Sequence, residues 1–204
     1  MKKAEILKLT NNTTYKVTEN IDLVLDLTEA KDSVSLDIVF EKEGCSCHLI
    51  GMYVLNPGES LDLKTSARHL VRNTSCLQDV RGVLKDNSTS KYIGSIIIEK
   101  DASLTESFLD DNVLVLGNGT KNQSDPTLEI KNNDVKASHG STTGRINEEE
   151  IFYLSSRGLS KSESENLIVE GFFEKLLNQI EDLKVREEIF QKIQEKLIFN
   201  QSEL

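Results

Sequence analysis

Residues 128–173 read LEIKNNDVKASHGSTTGRINEEEIFYLSSRGLSKSESENLIVEGFF, and the hydrophobic period of the chain changes within this stretch. Before Ile146, apolar and polar residues alternate in short runs, a pattern typical of β-strands. After it, Asn147 precedes three glutamates and apolar residues at helical spacing, which predicts an N-cap and an acidic first helical turn. The stretch therefore divides the chain into a β-rich part, residues 1–146, and a helical part, residues 147–204.

The β-rich part contains about ten short runs rich in Val, Ile, Leu and Thr, separated by turn residues such as Pro57-Gly58 and Asp86-Asn87. No helical pattern separates these runs, which excludes a sheet built from β-α-β units. A β-sandwich, a barrel and a solenoid all remain open. Asn-Gly, the pair that favours tight antiparallel hairpins, occurs only at 118–119, so the pattern slightly favours a parallel solenoid.

The helical part predicts three helices. The first ends near Arg157, with Gly158 as its C-terminal cap. Ser160 caps the second, and Glu163 stands at the capping-box spacing. The third covers about residues 182–199. The 13 acidic and 7 basic side chains of this part are typical of a solvated helical face.

The charge balance of the chain limits its partners. Acidic residues number 34 against 24 basic ones, giving a formal net charge of −10, which argues against nucleic-acid binding and against docking on anionic lipid. No apolar run approaches the about 20 residues that span a bilayer, and the first residues show no secretion signal. We therefore predict a cytoplasmic protein without a membrane partner. The odd count of three cysteines predicts no disulfide framework.

A Cys-Ser-Cys-His run is the one cluster of soft metal ligands in the sequence. In a strand, Cys45 and Cys47 project to the same face, and with His48 they form a candidate iron or zinc site. The same alternation allows both thiols to pack in a core as small apolar groups. Cys76 is isolated, and we expect it to be structural. The sequence has no phosphate-binding G-x-x-x-x-G-K-[ST] loop, so we expect this chain to bind no ATP.

The stretch quoted above closely resembles the C-terminal segment of the SufB/SufD family, the scaffold proteins of the SUF system of iron–sulfur cluster assembly. The resemblance is carried by the LEI strand, the V-K-x-S-H-G-x-T-x-G-R-I turn, the E-x-x-I-F-Y-L helix and the S-R-G-L-S loop. The upstream segments IGMYVLNPGESLDLKTSARHL, DVRGVLKDNSTSKYIGSIIIEKDA and NVLVLG are also similar to that family. The resemblance covers about residues 34–180.

The resemblance implies a mainly β fold, a right-handed parallel β-helix followed by a C-terminal helical region. It also implies a scaffold rather than an enzyme, which pairs through its β-helix as a homodimer or as a heterodimer with another SufB/SufD-type chain. The helical region would dock a SufC-type ABC ATPase. The pair would share a transient iron–sulfur cluster and pass it to acceptor apoproteins.

The resemblance also implies which residues act. His139 is the candidate cluster-assembly residue, and Gly140 follows it as in the SufD type, where the SufB type has Glu. In contrast to the SufB type, the turn at 117–120 has no cysteine. The alternative for His139 is a polar residue hydrogen-bonded at the last corner of the β-helix. Familiar members of the family are about twice as long as this chain and carry an additional N-terminal helical region.

The candidate ATPase-docking residues lie on the first two helices and the loop between them. They are Tyr153, Arg157, Gly158, Leu159 and Phe172. The alternative is that the apolar side chains of these helices only cover the open end of the β-helix. Two other functions remain open: a regulatory or structural protein that binds the ATPase without handling iron, and a β-solenoid enzyme acting on polysaccharide.

Overall fold

The computed structural model describes residues 3–9, 12–28 and 32–198, and these form twelve strands followed by three helices. The strands are β1 Lys3–Lys8, β2 Thr13–Val17, β3 Ile21–Asp26, β4 Asp32–Phe40, β5 Ser46–Leu55, β6 Ser60–His69, β7 Ser75–Leu84, β8 Thr89–Ile98, β9 Thr105–Val115, β10 Lys121–Ser124, β11 Thr127–Ile130 and β12 Val135–Arg145. The helices are α1 Glu148–Ser156, α2 Lys161–Leu177 and α3 Leu183–Ile198.

The strands coil into a parallel β-solenoid. Sheet 1 has the order β1-β3-β5-β7-β9-β12, and sheet 2 has the order β2-β4-β6-β8, with β10 and β11 both paired to β8. Every pairing is parallel, so the chain passes from one sheet to the other at each turn of the coil. The predicted solenoid is confirmed, and the sandwich and barrel alternatives are excluded.

The core lies between the two sheets and is built by alternation. In β8, every second residue from Ser90 to Ile98 is buried, and residues in register on neighbouring strands stack along the coil. Tyr53, Tyr92, Phe40 and Leu36 are among the largest side chains buried in this core. Burial of each such side chain stabilises the fold by about 1.5–3 kcal/mol.

The corners of the solenoid use left-handed backbone conformations at matching positions. Corners leading into sheet 1 place Gly44, Asn73 and Leu104 at φ of 75°, 56° and 58°. Their amides donate to the next turn of the coil, as in the 2.9 Å bond from Gly44 N to Asn73 O. Glycine and asparagine suit this region, but a leucine does not. Leu104 is therefore a strained corner residue.

The local helix signals are confirmed. The Asn147 side chain accepts from Glu149 N at 2.9 Å, and Gly158 follows α1 with φ of 100°. Ser160 and Glu163 form the reciprocal capping box of α2. These contacts span only two or three residues, which is why the sequence predicts them. Of the predicted third helix, residue 199 lies outside the described residues.

The long helices cover a side of the solenoid and not its end. Val169, Phe173 and Leu176 of α2, with residues of α3, pack on the outer face of sheet 1 in a second apolar cluster. On the sheet side the cluster contains Val24, Ile50, Met52, Val54 and Val83. The alternative in which the first two helices only cover the open end is therefore wrong for α2, because sheet 1 offers a continuous apolar outer face to bury.

One element differs from the sequence interpretation. Residues 135–145 were expected to form a turn, but they form β12, an 11-residue strand in register with β9. The segment is rich in Ser, Gly and Thr, residues that favour turns when judged locally. Pairing with β9 satisfies its backbone groups and overrides that preference.

Candidate functional site

The C-terminal end of the solenoid is formed by β10, β11 and β12, and we call it the open end. Among the described residues, β12 pairs only with β9, so it is the edge strand of sheet 1. An edge strand presents backbone N–H and C=O groups to any strand that approaches it. At 11 residues, β12 offers a longer edge for main-chain pairing with another protein than the six-residue β1 at the other edge of sheet 1.

His139 lies in the middle of β12, directly opposite Leu109 of β9. It shares a face with Val135 and Ala137, which pack against the core between the sheets. Because no described strand covers β12, the imidazole at this inward position is exposed. His139 is thus an accessible strand residue at the open end, and the alternative of a residue at the last corner is wrong.

Apolar side chains accompany His139 at the open end. Leu128 and Ile130 of β11 are in register with the buried Ile96 and Ile98 of β8, so they occupy core-facing positions. They nevertheless remain 38% and 42% exposed because the coil ends there. The open end therefore combines an exposed imidazole with core-type apolar surface.

A short chain of polar contacts ties the two edges of the open end together. Ser90 Oγ donates to Asn122 Oδ1 at 2.5 Å, and Asn122 Nδ2 donates to Thr143 Oγ1 at 2.8 Å. These contacts join β8, β10 and β12 across the space between the sheets. They hold β12, and hence His139, in a defined position.

The α1–α2 hairpin is the second candidate surface. Phe152 and Tyr153 are 76% and 57% exposed, and Leu167 of α2 is also exposed. The Arg157 guanidinium lies 5.3 Å from the centroid of the Tyr153 ring and donates to Tyr153 Oη at 3.3 Å. Gly158, also exposed, follows directly. This cation–π pair presents a preorganised aromatic and cationic surface.

Phe172 does not belong to that surface. Its ring packs partly buried on the second apolar cluster, and the Arg81 guanidinium of β7 lies 5.1 Å from its centroid. Arg81 also donates to the Phe172 carbonyl. Phe172 therefore fastens α2 to sheet 1, whereas Leu159, half-buried in the α1–α2 loop, remains next to the exposed residues.

The candidate metal site does not assemble. Cys45 and Cys47 are buried in the core between the sheets. His48 projects to the opposite face, where its Nδ1 lies 4.0 Å from Asp22 Oδ1. Strand alternation separates the imidazole from the thiols, and the described residues contain no group of three or more His, Cys, Asp or Glu that could hold a metal ion. Cys76 is buried in register with Cys47.

Two buried titratable groups, His69 and Asp111, were not predicted from the sequence. His69 is stacked on Phe40 at 4.4 Å between ring centroids, with its ring nitrogens 2.8 Å and 3.0 Å from the hydroxyls of Thr74 and Ser107. Burial lowers the pKa of His69 to about 4 and keeps it neutral.

Asp111 of β9 is the second of these groups. It is fully buried, and burial raises the pKa of its carboxyl to about 6. The signal that could have found it is the alternation in Leu109-x-Asp111-x-Val113, which places a carboxylate at a core-facing position.

Comparison with known proteins identifies the family. A family model described as "SUF system FeS cluster assembly, SufBD core domain" matches residues 19–172. The chain belongs to the SufBD family. This confirms the resemblance that residues 128–173 carry. The SufBD core match covers most of the solenoid, the α1 helix and the first part of α2.

Relatives with the names SufBD, SufD and SufB support the SufBD assignment. An iron–sulfur cluster assembly SufBD family protein of Mycobacterium leprae is 31% identical over 179 residues, covering 83% of this chain and 45% of that protein. Escherichia coli SufD is 30% identical over 139 residues, covering 68% and 33%. Bacillus subtilis SufB is 25% identical over 142 residues, covering 70% and 30%. The chain thus spans less than half the length of these relatives. Among the described helices, none is long and apolar enough to cross a membrane.

Proposed function

We propose that this chain is a non-catalytic scaffold subunit of SUF-type iron–sulfur cluster assembly in the cytoplasm. It would pair with a second SufB/SufD-type chain at the open end and dock a SufC-type ABC ATPase on the α1–α2 hairpin. The observation that carries the proposal is the exposed imidazole of His139 on β12, the edge strand of sheet 1 among the described residues, in a chain of the SufBD family.

Pairing at the open end is supported by both backbone and side chains. The 11-residue β12 offers main-chain groups for strand addition. Leu128 and Ile130 offer core-type apolar surface that a partner would remove from water. The partner can be a second copy of this chain or another SufB/SufD-type protein.

A cluster at this end would be shared with the partner. Iron–sulfur clusters are held mainly by cysteine thiolates, with histidine as an alternative ligand. All three thiols of this chain are buried, and none lies on β12. His139 is therefore the ligand that this chain contributes, and the partner supplies the thiolates. The shared cluster would then pass to acceptor apoproteins.

The α1–α2 hairpin supports ATPase docking through its exposed apolar side chains. Phe152, Tyr153 and Leu167 lie near acidic residues such as Glu149 and Glu150 on the first turn of α1. Apolar anchors at helical spacing with a charged rim fit a groove on a partner. ATP would be bound by that partner.

The first test is cluster assembly. The chain is co-expressed with a SufB-type and a SufC-type protein, purified anaerobically and supplied with iron and sulfide. We expect His139→Ala to lose most of the cluster absorbance while the complex stays intact. Ser138→Ala, a neighbour on the opposite face of β12, is the matched control. Normal cluster assembly by His139→Ala would remove the proposed role of that residue.

The second test is docking. Tyr153→Asp should release the ATPase in pull-down, whereas Phe190→Asp, an exposed aromatic residue on α3, should retain it. If the ATPase binds but the complex never acquires iron, the alternative of a regulatory ATPase-binding protein is favoured. The burial of all three thiols supports this alternative, because a buried thiol offers no ligand for iron.

A further inference from the structure

Among the described residues, the core of the solenoid contains a buried carboxylate, Asp111, with no cationic side chain paired to it. Asp111 is completely buried at a core-facing position of β9. Within the described part of the chain, neither of its carboxylate oxygens makes a hydrogen bond of full geometry. An isolated buried carboxylate is among the most costly groups that a protein interior can contain.

Three hydroxyl-bearing side chains face the core near this carboxylate. Ser141 of β12 is directly in register with Asp111, and Ser124 of β10 is the core-facing residue in register with Tyr92. Both hydroxyls lie close enough to lower the carboxyl pKa against the effect of burial. The Ser124 hydroxyl, like the carboxylate, makes no hydrogen bond of full geometry among the described residues.

Tyr53 supplies the third hydroxyl from two strands away in sheet 1. Its ring lies against Gly82 of β7, where an added Cβ would overlap the phenol ring. The missing side chain at 82 lets the ring extend along the core towards β9. Burial raises the Tyr53 pKa, and the Asp111 charge raises it further. Tyr53 Oη is also buried; it lies near the Ser90 hydroxyl but makes no hydrogen bond of full geometry among the described residues.

The donor set is hard and carries one negative charge. One carboxylate and three neutral hydroxyls contain no sulfur or imidazole ligand, which disfavours soft transition metals. A monovalent cation neutralises the single buried charge, whereas a divalent ion would leave a net positive charge in the core. The set therefore fits an alkali cation.

We propose that Asp111, with the hydroxyls of Ser124, Ser141 and Tyr53, forms an alkali-cation site one strand below the open end of the solenoid. Ser141 is exposed on β12, and Ser124 is half-buried on β10, so the ion reaches the carboxylate from the open end. The site lies beneath the strand that carries His139, and a bound ion would stabilise the strands that position this histidine. The proposal does not depend on cluster assembly.

The test measures the melting temperature of the free chain at constant ionic strength. Sodium, potassium and choline chloride are compared at about 0.2 M and about pH 8, where the carboxyl is ionised. We expect sodium or potassium to raise the melting temperature by roughly 2–4 °C over choline, since an ion that binds only the folded chain stabilises it. Equal melting temperatures in all three salts would overturn the proposal.

Isosteric variants locate the effect. Asp111→Asn should lose the difference between salts, while Asp79→Asn should keep it, because Asp79 is buried on the opposite face of sheet 1 with the Arg81 guanidinium 3.9 Å away. Ser124→Ala should raise, several-fold, the sodium concentration that gives half of the rise in melting temperature. This variant tests the site if Asp111→Asn fails to fold. Broadening of the sodium NMR line by the wild type, lost in Asp111→Asn, reports binding directly. Retention of the salt difference by both Asp111→Asn and Ser124→Ala would refute the site.

Discussion

His69 makes the stability of the solenoid sensitive to acid. The imidazole is neutral in the core, stacked on Phe40 and bonded to the hydroxyls of Thr74 and Ser107. Its pKa falls from 6.5 to about 4 on folding. The imidazole is therefore protonated in the unfolded chain at pH values where it stays neutral in the folded chain. The free energy of unfolding falls as the pH drops from about 6.5 towards 4.

The size of the effect follows from the two pKa values. At pH 5, an ordinary histidine is almost fully protonated, whereas His69 in the folded chain is mostly neutral. The linkage relation then gives a loss of about 2 kcal/mol relative to pH 7, and the loss approaches about 3 kcal/mol below pH 4. Asp111 acts in the opposite direction, because its pKa is raised on folding to about 6. The pH dependence of the wild type alone therefore shows only part of the loss of stability that His69 causes.

The assay compares the pH dependence of the wild type with that of His69→Gln. Urea unfolding at pH 7 and pH 5 gives the free energy of unfolding of each protein. We expect the variant to be less stable at pH 7, because the stacking on Phe40 is lost. From pH 7 to pH 5, the free energy of unfolding of the variant should nevertheless fall by about 2 kcal/mol less than that of the wild type. Equal falls in both proteins would refute the assignment of a neutral buried His69.

Two further predictions test the corners and the packing of the core. Leu104→Asn should raise the free energy of unfolding by about 1 kcal/mol in urea, because asparagine tolerates the left-handed backbone that Leu104 adopts at φ of 58°. Unchanged or lower stability would show that the half-exposed leucine contributes packing that outweighs its strain. Gly82→Ala should lower stability by roughly 1–3 kcal/mol, because the new methyl group overlaps the Tyr53 ring. Gly144→Ala on β12, where a Cβ meets nothing within 4 Å, is its control, and equal effects of the two substitutions would contradict the packing argument.

Alternation predicted strands well where only one face is buried. In β6, buried and more exposed positions alternate strictly, and the run Leu61-Asp62-Leu63-Lys64 shows the same period in the sequence. In β5, nine of ten residues are buried, because the core covers one face and α3 packs on the other. The continuous apolar run of β5 is the mark of burial on both faces.

The open end was the hardest part of the site to predict. Val135–Arg145 contains the local signals of a turn, and only pairing with β9 makes it a strand. The exposure of His139 depends on its lying on the last described strand of sheet 1, where no other described strand covers it. The cost of burying Asp111 depends equally on which side chains the neighbouring strands bring to it. These are properties of pairs about 30 residues apart in the chain.

The sequence by itself determined the elements whose causes are local: the period-two runs, the change of period at Ile146 and the caps at Asn147 and Ser160. Such features arise from hydrogen bonds and side-chain spacing within a few residues. Only the tertiary structure decided that Cys47 points into the core while His48 points away from it towards Asp22. The physical reason is that a strand has two equivalent faces, and the direction that becomes the interior is set by the sheet that packs opposite.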